Sequence, residues 1–225
     1  MLLRLWTGVL VTALTLQSCA APSPRPHALQ NAVPLPEHLL IAPPDIVVRF
    51  RVSEQTPVLP DPERSAEASK WATQALQTYW GDGQQITLLT DADLSEPQRK
   101  EQVGLYYQVA AQAFEIMASR ETRWRQKKST PDFTIGPGLA ELGRAYRAQA
   151  ILFVVGQQTQ ANSAMNFRPN KGLVPPALTA GLVELRTGRL VWLSHAEPAG
   201  GQKLNHQTHA QTLVYELLDR LTGAG

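Results

Sequence analysis

Few residues of this chain have the type and spacing that chemistry asks for. His206 and His209 stand three apart, so a helix would set both imidazoles on one face, where they can meet a single metal ion. A protein-held metal needs at least a third ligand, and none lies near them in the chain, so neither a metal nor another cofactor is expected. Ser194 and His195 offer a hydroxyl beside a base, but neighbours in a strand point to opposite faces, and no Gly-x-Ser-x-Gly turn occurs to expose a nucleophile. Gly136-Pro137-Gly138 lacks the lysine and hydroxyl of a phosphate-cradling loop and reads as the start of a helix. No catalytic residue is assigned and no enzymatic activity is expected. Arg120, Arg123, Trp124, Arg125, Lys127 and Lys128 form a basic stretch around one tryptophan. Such a stretch suits contact with anionic headgroups, lipopolysaccharide phosphates or an acidic partner; it also suits a solvated helix end, where cations complement the dipole.

Cys19 is the single cysteine of 225 residues, which excludes an intramolecular disulfide and a multi-cysteine metal site. It closes residues 1–19, with Arg4 in front, an apolar segment over 5–16 and a small residue before the cysteine, the anatomy of an export signal. A bilayer-spanning helix needs about 20 apolar residues, so this shorter segment reads as a removable address. Leu16-Gln17-Ser18-Cys19 resembles the lipobox of bacterial lipoproteins. Leu16, Ser18 and Cys19 match that pattern, and Gln17 stands where a smaller residue is usual. The resemblance implies cleavage before Cys19 and its acylation, palmitate included. With Ala20 rather than Asp behind it, it also implies an outer-membrane destination on the periplasmic side.

Residues 20–36 carry Pro22, Pro24, Pro26, Pro34 and Pro36 among small and polar neighbours, a density of proline that supports neither helix nor ladder. As an extended tether at roughly 3.1 Å per residue, this stretch would span about 50 Å at most. The remainder, 38–222, is expected to be one domain, since 43% apolar and 18% charged residues suffice for an ordinary core. A net charge of +2 is too small for the concentrated basic face of a nucleic-acid binder, and no such partner is expected.

The elements that must position any site are legible in the patterning. Residues 150–155, an unbroken apolar and largely β-branched run, predict a strand buried on both faces at the sheet centre. Residues 178–186 and 189–195 predict a hairpin turning at Thr187-Gly188. Behind Pro43-Pro44, the alternation of Ile46, Val48, Phe50 and Val52 predicts a strand near an edge or bulge. Asp61-Pro62 is an N-cap and first-turn pair for a helix carrying Ala68, Trp71, Ala72, Ala75, Leu76 and Tyr79 until Gly81 stops it. A short strand around Ile86 and Leu88 follows, then a helix from Ser95 with Val103, Tyr106, Ala110, Phe114 and Met117 on one stripe. A short helix with Leu142 and Tyr146 leads into the central strand, and a last helix from about Asn205 carries Leu213, Leu217 and Leu221. The expected fold class is α/β (α+β): a mixed sheet with a C-terminal hairpin and helices packed mainly on one face.

Residues 148–155 followed by 181–192 are similar to the strand and hairpin of bacterial envelope lipoproteins with a CsgG-like or TolB-N-terminal-like α/β domain. Leu185, Arg186, Thr187, Gly188 and Trp192 match the recurrent hairpin pattern, with Glu184 where those proteins carry Asp. In element order the resemblance covers 38–222. It implies an accessory or assembly lipoprotein without catalysis, working through an envelope protein partner or self-association, and it transfers no active-site residue. A periplasmic enzyme and a ring-forming export component are the alternatives. A polar cluster in a pocket would favour the enzyme, and a large apolar patch on an open sheet face would favour oligomerisation or partner binding.

Overall fold

The computed structural model describes residues 33–52, 56–81, 84–119, 121–129, 131–161, 177–197 and 202–224. The export signal, Cys19 and most of the tether lie outside the described residues, as does Arg120. The chain order is β1 (His38–Ile41), β2 (Asp45–Arg51), β3 (Leu59–Pro60), α1 (Pro62–Trp80), β4 (Gln85–Leu88) and α2 (Pro97–Ala118), then α3 (Arg125–Ser129), α4 (Ala140–Tyr146), β5 (Ala150–Ala161), β6 (Ala177–Glu184), β7 (Leu190–Ala196) and α5 (Gln207–Thr222).

β5 is the spine. Its first residues pair in parallel with β1, from Leu39 opposite Ala150 to Ile41 opposite Leu152, and its second half pairs in parallel with β2, from Asp45 opposite Val155 to Arg51 opposite Ala161. Between these two ladders Ala42, Pro43 and Pro44 stand against only Phe153 and Val154, so β1 and β2 are one strand line broken by a bulge. The prolines explain the break: neither has an N–H to give to a ladder. On its other edge β5 pairs antiparallel with β6, and β6 with β7, completing the predicted hairpin. β4 runs parallel outside β1 and β3 antiparallel outside β2, so the seven strands make one mixed sheet.

Helices cover both faces, which revises the expectation that they lie mainly on one. Ala68, Ala72, Ala75 and Leu76 of α1 join Leu213, Val214, Leu217 and Leu221 of α5 over Leu39, Ile41, Leu152, Leu182 and Trp192. On the opposite face Tyr106, Ala110 and Ala113 of α2 and Leu142 of α4 pack on Leu40, Ile151, Phe153, Val183 and Leu193. The physical reason lies in β5, where Leu152 and Val154 face one way, Ile151 and Phe153 the other, and all four are at most 3% exposed. A strand apolar on both sides needs a helix layer on each.

Local chemistry fixes the helix ends. Asp61 caps α1, its Oδ1 accepting the Arg64 N–H at 3.1 Å, with Pro62 at the first position. The Ser65 hydroxyl accepts the Val48 N–H at 2.9 Å and so ties the first turn to β2. Tyr79 donates to Asp219 at 2.8 Å, clasping α1 to α5. In the hairpin turn Gly188 has φ 71°, and a Cβ there would collide with the carbonyl of Gly136, so the position needs glycine for both torsion and space.

Two substitutions test this packing. Phe153 is stacked on Tyr106 with ring centroids 4.2 Å apart. Phe153→Ala should therefore destabilise by about 3–5 kcal/mol through lost transfer energy and a cavity, read by urea unfolding. Gly188→Val should lower stability by about 2–4 kcal/mol, combining torsional strain with the clash on Gly136; an unchanged midpoint would place the turn elsewhere.

Candidate functional site

The residues singled out for chemistry are mostly occupied by local partners. In the basic stretch Arg123 pairs with Glu121, and its guanidinium lies 5.0 Å over the Trp124 ring. Lys127 pairs with Asp132 and sits 5.0 Å over the Phe133 ring, and Lys128 donates to the Ser119 carbonyl. The stretch is thus a separate short helical excursion after α2, folded back on its own acids, with Arg125 exposed and Trp124 half-buried. The rings of His206 and His209 do meet, with centroids 4.5 Å apart, but His209 Nδ1 already accepts the Lys203 N–H at 3.0 Å. Among the described residues no group of three His, Cys, Asp or Glu side chains is placed to hold a metal. Gly136, Pro137 and Gly138 lead through a 3-10 turn over Pro137–Leu139 into α4, as the helix-start reading expects, and a Cβ on Gly138 would meet the Gln102 side chain of α2.

Ser194 and His195 do point to opposite faces. Ser194 is buried on the α5 side, while the His195 ring packs 4.9 Å from Phe114 on the α2 side. The hairpin register brings Thr179 opposite His195, with Oγ1 2.9 Å from Nδ1, and Glu197 Oε1 lies 3.2 Å from Nε2. The sequence reading missed this row because its hydroxyl arrives through strand pairing. In a hydrolytic triad a buried carboxylate holds Nδ1 and the nucleophile faces Nε2. Here the order is reversed and the Glu197 side chain is 65% exposed, so the row serves to tie the end of the hairpin.

A concave site lies at the broken strand. From β1 the chain continues through β2 and β3 before it enters α1 on one face, and from β4 it passes into α2 on the other. In open α/β sheets such a divergence leaves a crevice beyond the carboxyl ends of the strands, where ligands bind. Beyond Ile41 the outer edge passes from β4 to β3, which begins to pair only at Phe50 and Arg49, and Pro43 and Pro44 leave no ladder donors orphaned there. A cleft of about 560 Å³ opens at this gap. Its floor is Ala42, Leu94, Phe153 and Val154; its rim carries Asp45 from β2, Asp91 after β4, Lys70 from α1, and Lys100 and Tyr107 from α2. Burial, together with the nearby charges of Asp45 and Asp91, pushes the Tyr107 pKa up, so at neutral pH its hydroxyl is neutral. None of these five rim residues was among the sequence candidates. The one signal was a proline pair breaking a strand directly before an aspartate.

No protein-family model matches the chain, and no curated protein matches it in sequence. Among solved structures it is similar to the PelC dodecamer from Paraburkholderia phytofirmans, at 12% identity over 87% of this chain and 97% of that one, with a TM-score of 0.38. It is similar to lipoprotein GNA1162 from Neisseria meningitidis at 13% identity, covering 84% and 99% of the two chains, with a TM-score of 0.35. The C-terminal domain of LpoB from Salmonella enterica gives 16% identity, 75% and 87% coverage, and a TM-score of 0.30. Likenesses this distant transfer no residue, partner or activity.

Asp93 holds the loop that carries Asp91. Its Oδ2 accepts the Thr90 N–H and hydroxyl, each at 2.7 Å, and its Oδ1 accepts the Tyr146 hydroxyl at 2.7 Å. These bonds, helped by Arg99, lower its pKa from 3.8 to about 2. A depressed carboxylate contributes stability that is complete above its unfolded-state pKa and fades as pH falls through the folded-state value. Asp93→Asn should therefore be less stable than wild type at pH near 7, and the gap should close as both are taken toward pH about 2. Thermal unfolding across that range is the check; a gap independent of pH would deny the carboxylate this role.

Proposed function

We propose that this chain is a lipid-anchored envelope protein of the accessory or assembly type, held on the periplasmic side of the outer membrane by acyl chains on Cys19 and acting by binding rather than catalysis. The observation that carries the reading is Cys19 itself: the only cysteine, placed directly after a short apolar segment and followed by a proline-rich stretch before the domain. Among the described residues no helix is long and apolar enough to cross a membrane. One acyl chain binds a membrane marginally, at about 0.8 kcal/mol per buried methylene, whereas two or three hold a protein durably. Lipid on Cys19 would therefore suffice as the anchor.

Binding is favoured over catalysis by what surrounds the hydroxyls and the base. The Thr73 hydroxyl at the cleft is engaged with the Ser69 carbonyl at 2.8 Å; of the hydroxyls that meet an imidazole, Thr179 does so in the reversed row with His195 and Glu197, and Thr87 bonds His38 at 2.9 Å across the β1–β4 pair. A polar cleft is also what an enzyme would need, and it is the observation behind the second reading, a periplasmic enzyme working at Asp45 and Asp91. Partner contact through Arg123, Arg125, Lys127 and Lys128 belongs to the first reading. Glu121 and Asp132 already pair with Arg123 and Lys127, but exposed ion pairs contribute only about 0–1 kcal/mol and exchange readily, so they compete with such a contact only weakly.

Cys19→Ser should abolish incorporation of labelled palmitate and release the protein from the outer-membrane fraction, while its thermal midpoint stays that of the parent. A wild-type chain that takes up no label and washes off with salt would overturn the lipid anchor. Retention of the serine variant in the membrane would instead assign anchoring to a protein surface such as the basic stretch.

A further inference from the structure

The chain enters the domain at the end of the sheet that also carries four arginines. Val33 donates to the Leu221 carbonyl at 3.3 Å, Val33 and Leu35 pack on the core beneath α1 and α5, and the Gln84 side chain donates to the carbonyls of Pro36 and Glu37 at 2.7 and 3.1 Å. A row of bonds ties this entry to two other segments. The His38 N–H donates to Gln149 Oε1 at 3.1 Å, the Gln149 N–H donates back to the His38 carbonyl at 3.3 Å, and the Leu185 N–H donates to the Gln149 carbonyl at 2.9 Å. Gly143 of α4 sits so close to Leu185 that a Cβ on it would lie 3.0 Å from the leucine Cβ. The end of α4, the hairpin turn and the last residues of the tether therefore share one end of the sheet. To it α4 and its cap bring Arg144 and Arg147, and the turn brings Arg186 and Arg189, all four exposed.

Arg147 is the least expected of them. It holds the left-handed position that ends α4, with φ 54°, and is the one non-glycine of positive φ among the described residues. Glycine ordinarily fills such a cap, and a side chain there is strained. Complementing the helix dipole does not require it, since Arg144 already stands in the last turn. Among the described residues Arg147 and Arg189 enter no ion pair. Arg144 and Arg186 meet Glu141 and Glu184 only at 3.4 and 3.7 Å, and Glu184 is also held by the Thr187 hydroxyl.

We propose that this end of the domain seats on an anionic phospholipid surface, with Arg144, Arg147, Arg186 and Arg189 against the headgroup phosphates. The proposal rests on the lipid anchor at Cys19 and adds which face the anchored domain turns to the bilayer. From Cys19 to Val33 the chain reaches about 43 Å when extended and about 20 Å as a coil, so acyl chains on Cys19 hold the arginine end, rather than the opposite end of the sheet, near the headgroups. Each arginine close to an anionic surface strengthens binding about fivefold. The exposed pairs with Glu141 and Glu184 oppose this only weakly.

The test places the full acylated chain on vesicles of phosphatidylcholine or of phosphatidylglycerol and labels arginines with phenylglyoxal, read residue by residue by mass spectrometry. Arg147 and Arg189 should react freely on phosphatidylcholine and be protected on phosphatidylglycerol, while the exposed Arg125 of the basic stretch reacts equally on both. A second measurement floats the unacylated Cys19→Ser chain with phosphatidylglycerol vesicles at low salt. Arg147→Gly should weaken that binding about fivefold, and its combination with Arg189→Gln about 25-fold. The thermal midpoint of Arg147→Gly should equal or exceed the parent's, because glycine suits the torsion, so a loss of binding cannot be a loss of fold. Protection of Arg125 in place of Arg147 and Arg189 would overturn the proposal and assign the contact to the basic stretch. Equal labelling on the two lipids, or flotation unchanged by the double substitution, would overturn it too, as would no flotation at all, the result expected if these arginines serve an acidic protein. Palmitate labelling reads the anchor separately: label without arginine protection overturns this proposal alone, and protection without label overturns the anchor alone.

Discussion

Backbone hydrogen bonding along β5 is the constraint from which the rest of the domain follows. One edge of the strand is committed to β6 from Ala150 to Gln157, and the other is divided between β1 and β2, because Pro43 and Pro44 cannot supply a ladder in between. A bulge at that point keeps both halves in register with β5. Because β5 is apolar on both sides, the chain must bring helices to both faces, and the connections that do so run from β3 into α1 on one face and from β4 into α2 on the other. The gap between those connections is the cleft. Core formation and site formation are thus consequences of the same strand.

The hairpin and the loop after β4 hold this arrangement from the outside. Gly188 lets the turn of β6 and β7 lie against Gly136, where Ile135 donates to the Gly188 carbonyl at 2.9 Å and Leu190 to that of Phe133 at 2.9 Å. The segment before α4 thereby becomes a cover for the second face. Asp93 joins the β4 loop to Tyr146 of α4, so the rim bearing Asp91 is fastened to the same layer. Stability and the geometry of the rim are coupled through these few contacts.

Much of the scaffold was legible before the structure. The apolar run at 150–155 is the first half of β5, Asp61-Pro62 does start α1, and the turn at Thr187-Gly188 does join β6 to β7. These are local signals, carried by torsion, capping and burial, and they survive tertiary context. The side taken by each helix was not legible, since an apolar stripe says that a face is buried and not which face of the sheet receives it. The cleft was not legible either, because Asp45, Lys70, Asp91, Lys100 and Tyr107 belong to separate elements and meet only once the strand order is known. The Thr179 and His195 pair failed for the same reason, being set by hairpin register rather than by spacing.

Native-state hydrogen exchange tests the central claim, that β5 is the spine of the fold. If it is, the amides of residues 151–154 exchange only through global unfolding, with the highest opening free energy in the domain and a full response to denaturant. Opening of those amides at a lower free energy than the amides of α1 or α5, or without denaturant dependence, would contradict the account and make the helical layer the organising element.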